Sequence, residues 1–203
     1  MGDNSATKVI TGIVRLSYPA IWEPKSASNG KNKDKEKDKK YSASLIIPKS
    51  EKKTIIAIKN AVAAAKEEGK GSKWNGKIPK PLKEPLRDGD EERDDAAYEN
   101  CYFVNASSSN KPGIVKKKGG KTVHITDEDE VYAGCWVIAS INFYPFNVDG
   151  NKGVACGLNN ILFVKDGLPL SGGASAEDDF EEVEVPEEDY EDFDFGDDDE
   201  IPF

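Results

Sequence analysis

Residues 175–203 hold sixteen Asp and Glu side chains and no Lys or Arg. Like charges at that density repel, and the few aromatics among them cannot bury enough area to offset chain entropy. A folded core therefore has to come from residues 1–174. Those residues carry 28 bases against 22 acids, a net of +6, although the whole chain sums to −10. A mildly basic body joined to a strongly acidic tail is a charge asymmetry that points to nucleic acid as a partner. The join, Leu168-Pro-Leu-Ser-Gly-Gly-Ala-Ser-Ala176, reads as a flexible linker. The expected division is a folded body over 1–167 and a linker with an acidic tail over 168–203.

Several classes of function drop out early. A length of 203 residues allows one ordinary domain with appendages. No apolar run approaches the roughly 20 residues that span a bilayer, so no membrane partner is expected. Met1 to Ser5 lacks the apolar stretch of a secretory signal. Cys101, Cys135 and Cys156 are odd in number and scattered, which argues against a disulfide framework and for a reducing cytoplasm. His124 is the one histidine, too little for a Cys/His zinc site or a histidine-based triad. No cofactor is expected.

The body reads as mainly β. Residues 8–18 alternate, with Ile10, Val14 and Leu16 on one side and Thr11, Arg15 and Ser17 on the other. Tyr41 to Ile47 alternates again and Pro48 ends it. Ser50 suits the N-cap of a helix over about 51–68, with Ile55, Ile58, Val62 and Ala65 on one stripe and Gly69 at its end. Residues 69–97 read as irregular. Tyr102 to Ser107, Val131 to Phe146 and Val154 to Val164 read as strands, the last two joined by a hairpin turn within 147–153. The expected architecture is an OB-fold-like small antiparallel β-barrel with one α-helix, long loops and a disordered acidic tail. Periodicity alone does not separate the OB-fold from other small barrels.

Within this frame some residues suit unpaired nucleic acid, because exposed rings stack bases and nearby cations meet phosphates. On the strand Trp136–Phe146, Val137, Ala139, Ile141 and Phe143 form a core face, while Ser140, Asn142, Tyr144 and Phe146 form the other. Tyr18 and Trp22 lie near a strand end between Arg15 and Lys25. Trp74 sits between Lys73 and Lys77 in a Gly-rich segment and reads as exposed. Competing readings place Tyr144 and Phe146 beneath a loop, Trp22 as a core plug and Trp74 as a loop anchor. Residues 31–40 contain six lysines, Lys39 and Lys40 among them, and residues 111–121 contain five, including Lys116, Lys117 and Lys118. Each run is ordinary for a solvated loop; two on one chain suit a groove that tracks a phosphate backbone.

Three tempting motifs fail. Gly120-Lys121-Thr122 resembles the end of a phosphate-binding loop, but its first glycine would fall at Val115. The acids between Arg87 and Asp95 do not have EF-hand spacing. Asn105-Ala-Ser107 fits a glycosylation sequon that a cytoplasmic chain would not use.

The last residues are the most specific signal. A generic acidic tail has no need of a closing Ile201-Pro202-Phe203, two apolar side chains and a stiff proline beside a free carboxylate. With Asp197, Asp198, Asp199 and Glu200 before it, this end suits an apolar pocket with a basic rim on a partner protein. It resembles the ending of bacterial single-stranded DNA-binding proteins, departing from it by Glu200 between the Asp run and Ile201. The body resembles instead a family of phage single-stranded DNA-binding proteins. That resemblance lies in Arg15-Leu-Ser-Tyr-Pro-Ala-Ile-Trp22, Tyr41-Ser-Ala-Ser-Leu-Ile-Ile-Pro48, Ile141-Asn-Phe-Tyr-Pro-Phe146 and Gly153-Val-Ala-Cys-Gly-Leu-Asn-Asn160, and spans about 8–166. It implies an OB-like barrel acting in the cytoplasm of an infected bacterium during viral DNA replication or recombination. The helix after the second strand sits earlier than in a standard OB-fold.

The leading expectation is a non-enzymatic protein that coats and protects single-stranded DNA. Arg15, Lys25, Lys39, Lys40 and Lys116–Lys118 would meet phosphates, and Tyr18, Trp22, Trp74, Tyr144 and Phe146 would stack bases. Its tail would recruit replication or recombination proteins and compete with DNA for the basic groove. The alternatives are a metal-dependent nuclease using acids from Asp88 to Asp95, and an acidic-tailed chaperone or scaffold for basic proteins. The oligomeric state stays open between monomer and dimer.

Overall fold

The computed structural model describes residues 6–26 and 39–170. The lysines at 31–37 and the ending Asp197–Phe203 lie outside the described residues. In chain order the elements are β1 (Lys8–Ile10), β2 (Val14–Ser26), β3 (Lys39–Pro48), α1 (Lys52–Ser72), β4 (Leu86–Asp88), the short α2 (Gly89–Glu92), β5 (Cys101–Ser108), β6 (Gly113–Lys118), β7 (Lys121–His124), β8 (Trp136–Val148) and β9 (Asn151–Lys165). No helix among them is long and apolar enough to cross a membrane.

Five strands pair into a ring. β2 runs antiparallel to β3, β3 to β5, β9 to β8 and β8 to β2, while β5 and β9 meet in parallel. The β2–β8 and β5–β9 seams are only two residue pairs long. The result is the partly open five-stranded barrel of the OB class. β1 extends the ring from β8, β4 from β5, and the β6–β7 hairpin from β9. The sequence reading gives five strands because it takes β1 and β2 as one, β6 and β7 as a loop and β4 as irregular chain.

Alternation puts one face of each strand inside. Val14 and Leu16, Ala43, Leu45 and Ile47, Val104 and Ala106, and Val137, Ala139, Ile141 and Phe143 are all buried in one core. α1 packs chiefly on β8 and adds Ile55, Ile58, Val62 and Ala65, the stripe its spacing predicts. β8 and β9 are joined by the tight Asp149-Gly150 turn, with φ of 49° and 79°. Positive φ at both positions is the geometry that matches strand twist in a two-residue hairpin.

Local expectations fail at four places. Ile10 is not core but 70% exposed. Thr11, expected on the outer face, is buried because its backbone N–H and its hydroxyl exchange hydrogen bonds with Ala139 at 2.9 Å each. Glu51, not Ser50, is the N-cap of α1, and no side chain caps it. Gly69 does not end α1: the helix runs to Ser72, and Trp74 folds back over Gly69.

Candidate nucleic-acid interface

The outward faces of β2, β3 and β5 form a continuous surface. Register aligns Ser17 with Ser44 and Ser44 with Asn105, giving one rung of small polar side chains, and Ser42 lies one outward step further along β3. The chain over 87–98 folds across one half of this surface. Tyr98 is fully buried there, with its hydroxyl 3.1 Å from Ser17 Oγ and 3.2 Å from Ser44 Oγ. Its ring meets Phe103 edge-on at 5.2 Å. Ile46 is buried with them, and Leu170 packs alongside.

The other half stays open. A shallow pocket of about 270 Å³ is lined by Tyr18, Ser42, Ala43, Ser44, Asn105 and Arg93. Tyr18 is 65% exposed and holds a φ of 44°. For a bulky residue that left-handed conformation costs on the order of 1–3 kcal/mol. It coincides with a register shift of β2 against β3 between Ser17 and Ala20, and such bulges re-aim side chains.

Arg93 enters the pocket from the covering segment. Its guanidinium carbon lies 5.2 Å from the Tyr98 ring centre and 4.9 Å from that of Phe103. Arg87 stacks on Phe103 as well, at 4.9 Å, but also pairs with Glu92. Among the described residues Arg93 makes no ion pair, and its Nε is buried without a hydrogen-bond partner. An unmet buried donor costs about 1–3 kcal/mol.

A second concavity, of about 400 Å³, is lined by Trp22, Lys111, Gly113, His124, Thr126 and Glu128, among others. Lys111 Nζ sits 5.3 Å from the Trp22 ring centre. Trp22 is half-buried, so one side of its ring packs on the core and the other meets the concavity. It is both plug and lining.

The remaining anticipated residues do not converge on one groove. Arg15 donates from Nε to the Gly134 carbonyl at 3.1 Å and from a terminal nitrogen to the Leu168 carbonyl at 2.6 Å, so it ties down the start of the expected linker. Leu170 N–H adds a bond to Ala133 O at 2.8 Å. Trp74 is a correction: it is 4% exposed, with Nε1 donating to Phe146 O at 3.1 Å, and offers no ring face to a base. Gly69 makes the room for it. Phe146 is half-buried beside that anchor and against Gly153, while Tyr144 on the same face of β8 is 39% exposed. Lys116 is held by Glu130 at 2.5 Å. Lys117 and Lys118 are exposed near the open Gly119-Gly120 turn, Lys117 donating to Thr122 Oγ1 at 2.6 Å. Lys25, Lys39 and Lys40 are exposed on the paired ends of β2 and β3.

Four of the acids between Asp88 and Asp95 are engaged. Asp88 and Asp90 lie 2.8 and 2.6 Å from Lys49 Nζ, and Asp90 also accepts from Asn100 N–H at 2.6 Å. Lys49, followed by that N–H, holds the Asp90 carboxyl below its ordinary range. Glu92 pairs with Arg87, and Asp95 caps a helical turn at Ala96–Tyr98. Among the described residues no cluster of His, Cys, Asp or Glu is arranged to hold a metal ion.

Residues 7–192 match the family of the Enterobacter phage Enc34 ssDNA-binding protein. The chain belongs to that family. A relative of the Enc34-type chain, the p50 protein of Acyrthosiphon pisum secondary endosymbiont phage 1, is 31% identical over 188 residues, covering 89% of this chain and 96% of p50. The single-stranded DNA complex of the Enc34 protein superimposes with a TM-score of 0.67 at 22% identity, over 82% of this chain and 90% of that one. The single-stranded DNA-binding protein gp2.5 of bacteriophage T7 has a TM-score of 0.51 at 15% identity, over 88% and 96%. These two likenesses establish the fold of the Enc34-type chain. Its family is one of DNA-binding proteins, not enzymes.

The sequence does not single out Ser42, Ser44, Asn105 or Arg93. Small polar residues on a strand carry no signal of their own. Arg93 was hidden in an acidic stretch that reads as solvated; its one clue was a cation kept among carboxylates.

Proposed function

We propose that this protein binds single-stranded DNA without strong sequence preference and coats it during phage replication or recombination, in the cytoplasm of the infected cell. The observation that carries this reading is the match of residues 7–192 to a single-stranded DNA-binding family. The OB class places oligonucleotides on the outer face of its second and third strands, here β3 and β5. That face offers Tyr18, a small polar floor and exposed lysines at the strand ends. Trp22 with Lys111 supplies a second ring-and-cation pair. Residues 1–167 would form the DNA-binding domain and 168–203 the linker and tail. Asp197 to Phe203 would offer an acidic approach and an Ile-Pro-Phe plug to partner proteins, and the tail's charge would compete with DNA.

The test is a salt series of anisotropy titrations with labelled oligothymidylate and with a duplex of equal length. Tighter binding of the single strand is expected, with log affinity falling by about 0.7 per log unit of salt for each phosphate neutralised. Equal affinity for duplex and single strand, or binding that ignores salt, would refute the proposal.

A further inference from the structure

We infer that Arg93 and Tyr18 form a nucleotide subsite in which the guanidinium takes a backbone phosphate and the phenol ring takes the adjoining base. The inference rests on the single-stranded DNA reading and adds to it a residue from outside the barrel. Arg93 is surrounded in sequence by Glu91, Glu92, Asp94 and Asp95, yet pairs with none of them. Its near neighbour Arg87, stacked on the same Phe103 ring, does take a carboxylate. Two aromatic rings hold the Arg93 plane in place, so the entropy of fixing a long side chain is already spent. Nε is buried and unpartnered beneath that stack, and Arg93 lines the open pocket with a fork whose geometry suits two oxygens of one phosphate.

The rest of the pocket fits a nucleotide rather than a free anion. Ser42, Ser44 and Asn105 make a floor low enough for a sugar-phosphate chain to cross closely, and the more exposed Ser42 and Asn105 supply a hydroxyl and an amide for it. Tyr18 stands at the same pocket, exposed in a conformation that packing alone does not reward. Strain of this kind collects at ligand sites. A ring for a base and a fork for a phosphate, at one pocket, is the arrangement single-stranded nucleic acid needs.

The experiment uses the full chain and labelled oligothymidylate over a salt series, with Arg93→Gln, Arg93→Lys and Tyr18→Trp. Arg93→Gln should weaken binding about tenfold and lower the salt slope by about 0.7, one phosphate contact. Arg93→Lys keeps the charge but not the fork. It should lose affinity several-fold while keeping the slope, a split that loosened packing would not produce. Tyr18→Trp adds a fluorophore in the pocket, and the variant's emission should be quenched on oligonucleotide binding beyond the quenching of the unaltered chain's own three tryptophans, whatever the Arg93 variants do to folding. If the unaltered chain binds DNA and all three variants leave affinity, slope and emission unchanged, the subsite is refuted while the function stands. A rise in affinity in Arg93→Gln would assign the guanidinium to the chain's own acids and also refute it. No binding by the unaltered chain would refute the underlying function.

Discussion

Gly69 shows how one position can reverse a general rule. In a helix interior, alanine is ordinarily favoured over glycine by up to about 1 kcal/mol. Here an added Cβ would stand 2.7 Å from the Trp74 ring and 2.6 Å from Pro145 Cβ. Gly69→Ala should therefore destabilise the protein by about 1–3 kcal/mol, as overpacking does, read as a lower urea midpoint. The Lys49 site makes a different residue-scale prediction. Asp90 has its pKa lowered from 3.8, chiefly by Lys49, and Lys49 has its own raised by Asp88 and Asp90. A depressed carboxyl contributes stability that is complete above its unfolded pKa and disappears as pH falls through the folded value. The raised ammonium contributes below its unfolded pKa of 10.5 and loses that contribution as pH rises through the folded one. Lys49→Met should lower the urea midpoint at neutral pH, and the gap to the unaltered protein should close as pH drops below 3.8. A gap unchanged at low pH would mean the lysine acts through its packing on the Tyr102 ring, 5.0 Å away.

At the scale of elements, β6 and β7 illustrate how a basic stretch divides its labour. Residues 111–121 look uniform in sequence, yet the hairpin gives each lysine a different setting. Lys116 is spent on Glu130, Lys117 and Lys118 project near the turn, and Lys111 sits over Trp22. Lys117→Gln with Lys118→Gln should lower the salt slope of single-stranded DNA binding by up to about 1.4, two phosphate contacts. Lys116→Gln should leave the slope unchanged. An equal effect from all three would mean the hairpin acts only through its summed charge.

The whole molecule combines a body of net +6 with a tail of sixteen acids. The proposed competition of the tail with DNA depends on charge attraction, which is strongest where salt screens least. Removing residues 171–203 should raise affinity for oligothymidylate, most at low ionic strength. Under the proposed recruitment, removing Ile201 to Phe203 alone should spare DNA affinity and abolish capture of replication or recombination proteins by the full chain. Unchanged affinity in the longer truncation would eliminate competition while leaving recruitment intact.

Alternation and spacing along the chain located part of the core. The inward face of β8, the apolar stripe of α1, the alternation of β3 and the hairpin between β8 and β9 follow from periods and turn chemistry that are local by nature. The charge division is likewise a property of composition. Which aromatic would be displayed was not local. Trp74 lies among lysines and glycines but is buried, because Gly69 opens a slot for it and Phe146 supplies a carbonyl. Tyr18 is displayed because a bulge in β2, set by its pairing with β3, turns it outward. Arg93 reaches the barrel only because the chain over 87–98 folds back across β3 and β5. Contacts between residues far apart in the chain decide exposure, and exposure decides which rings and cations a nucleic acid can meet.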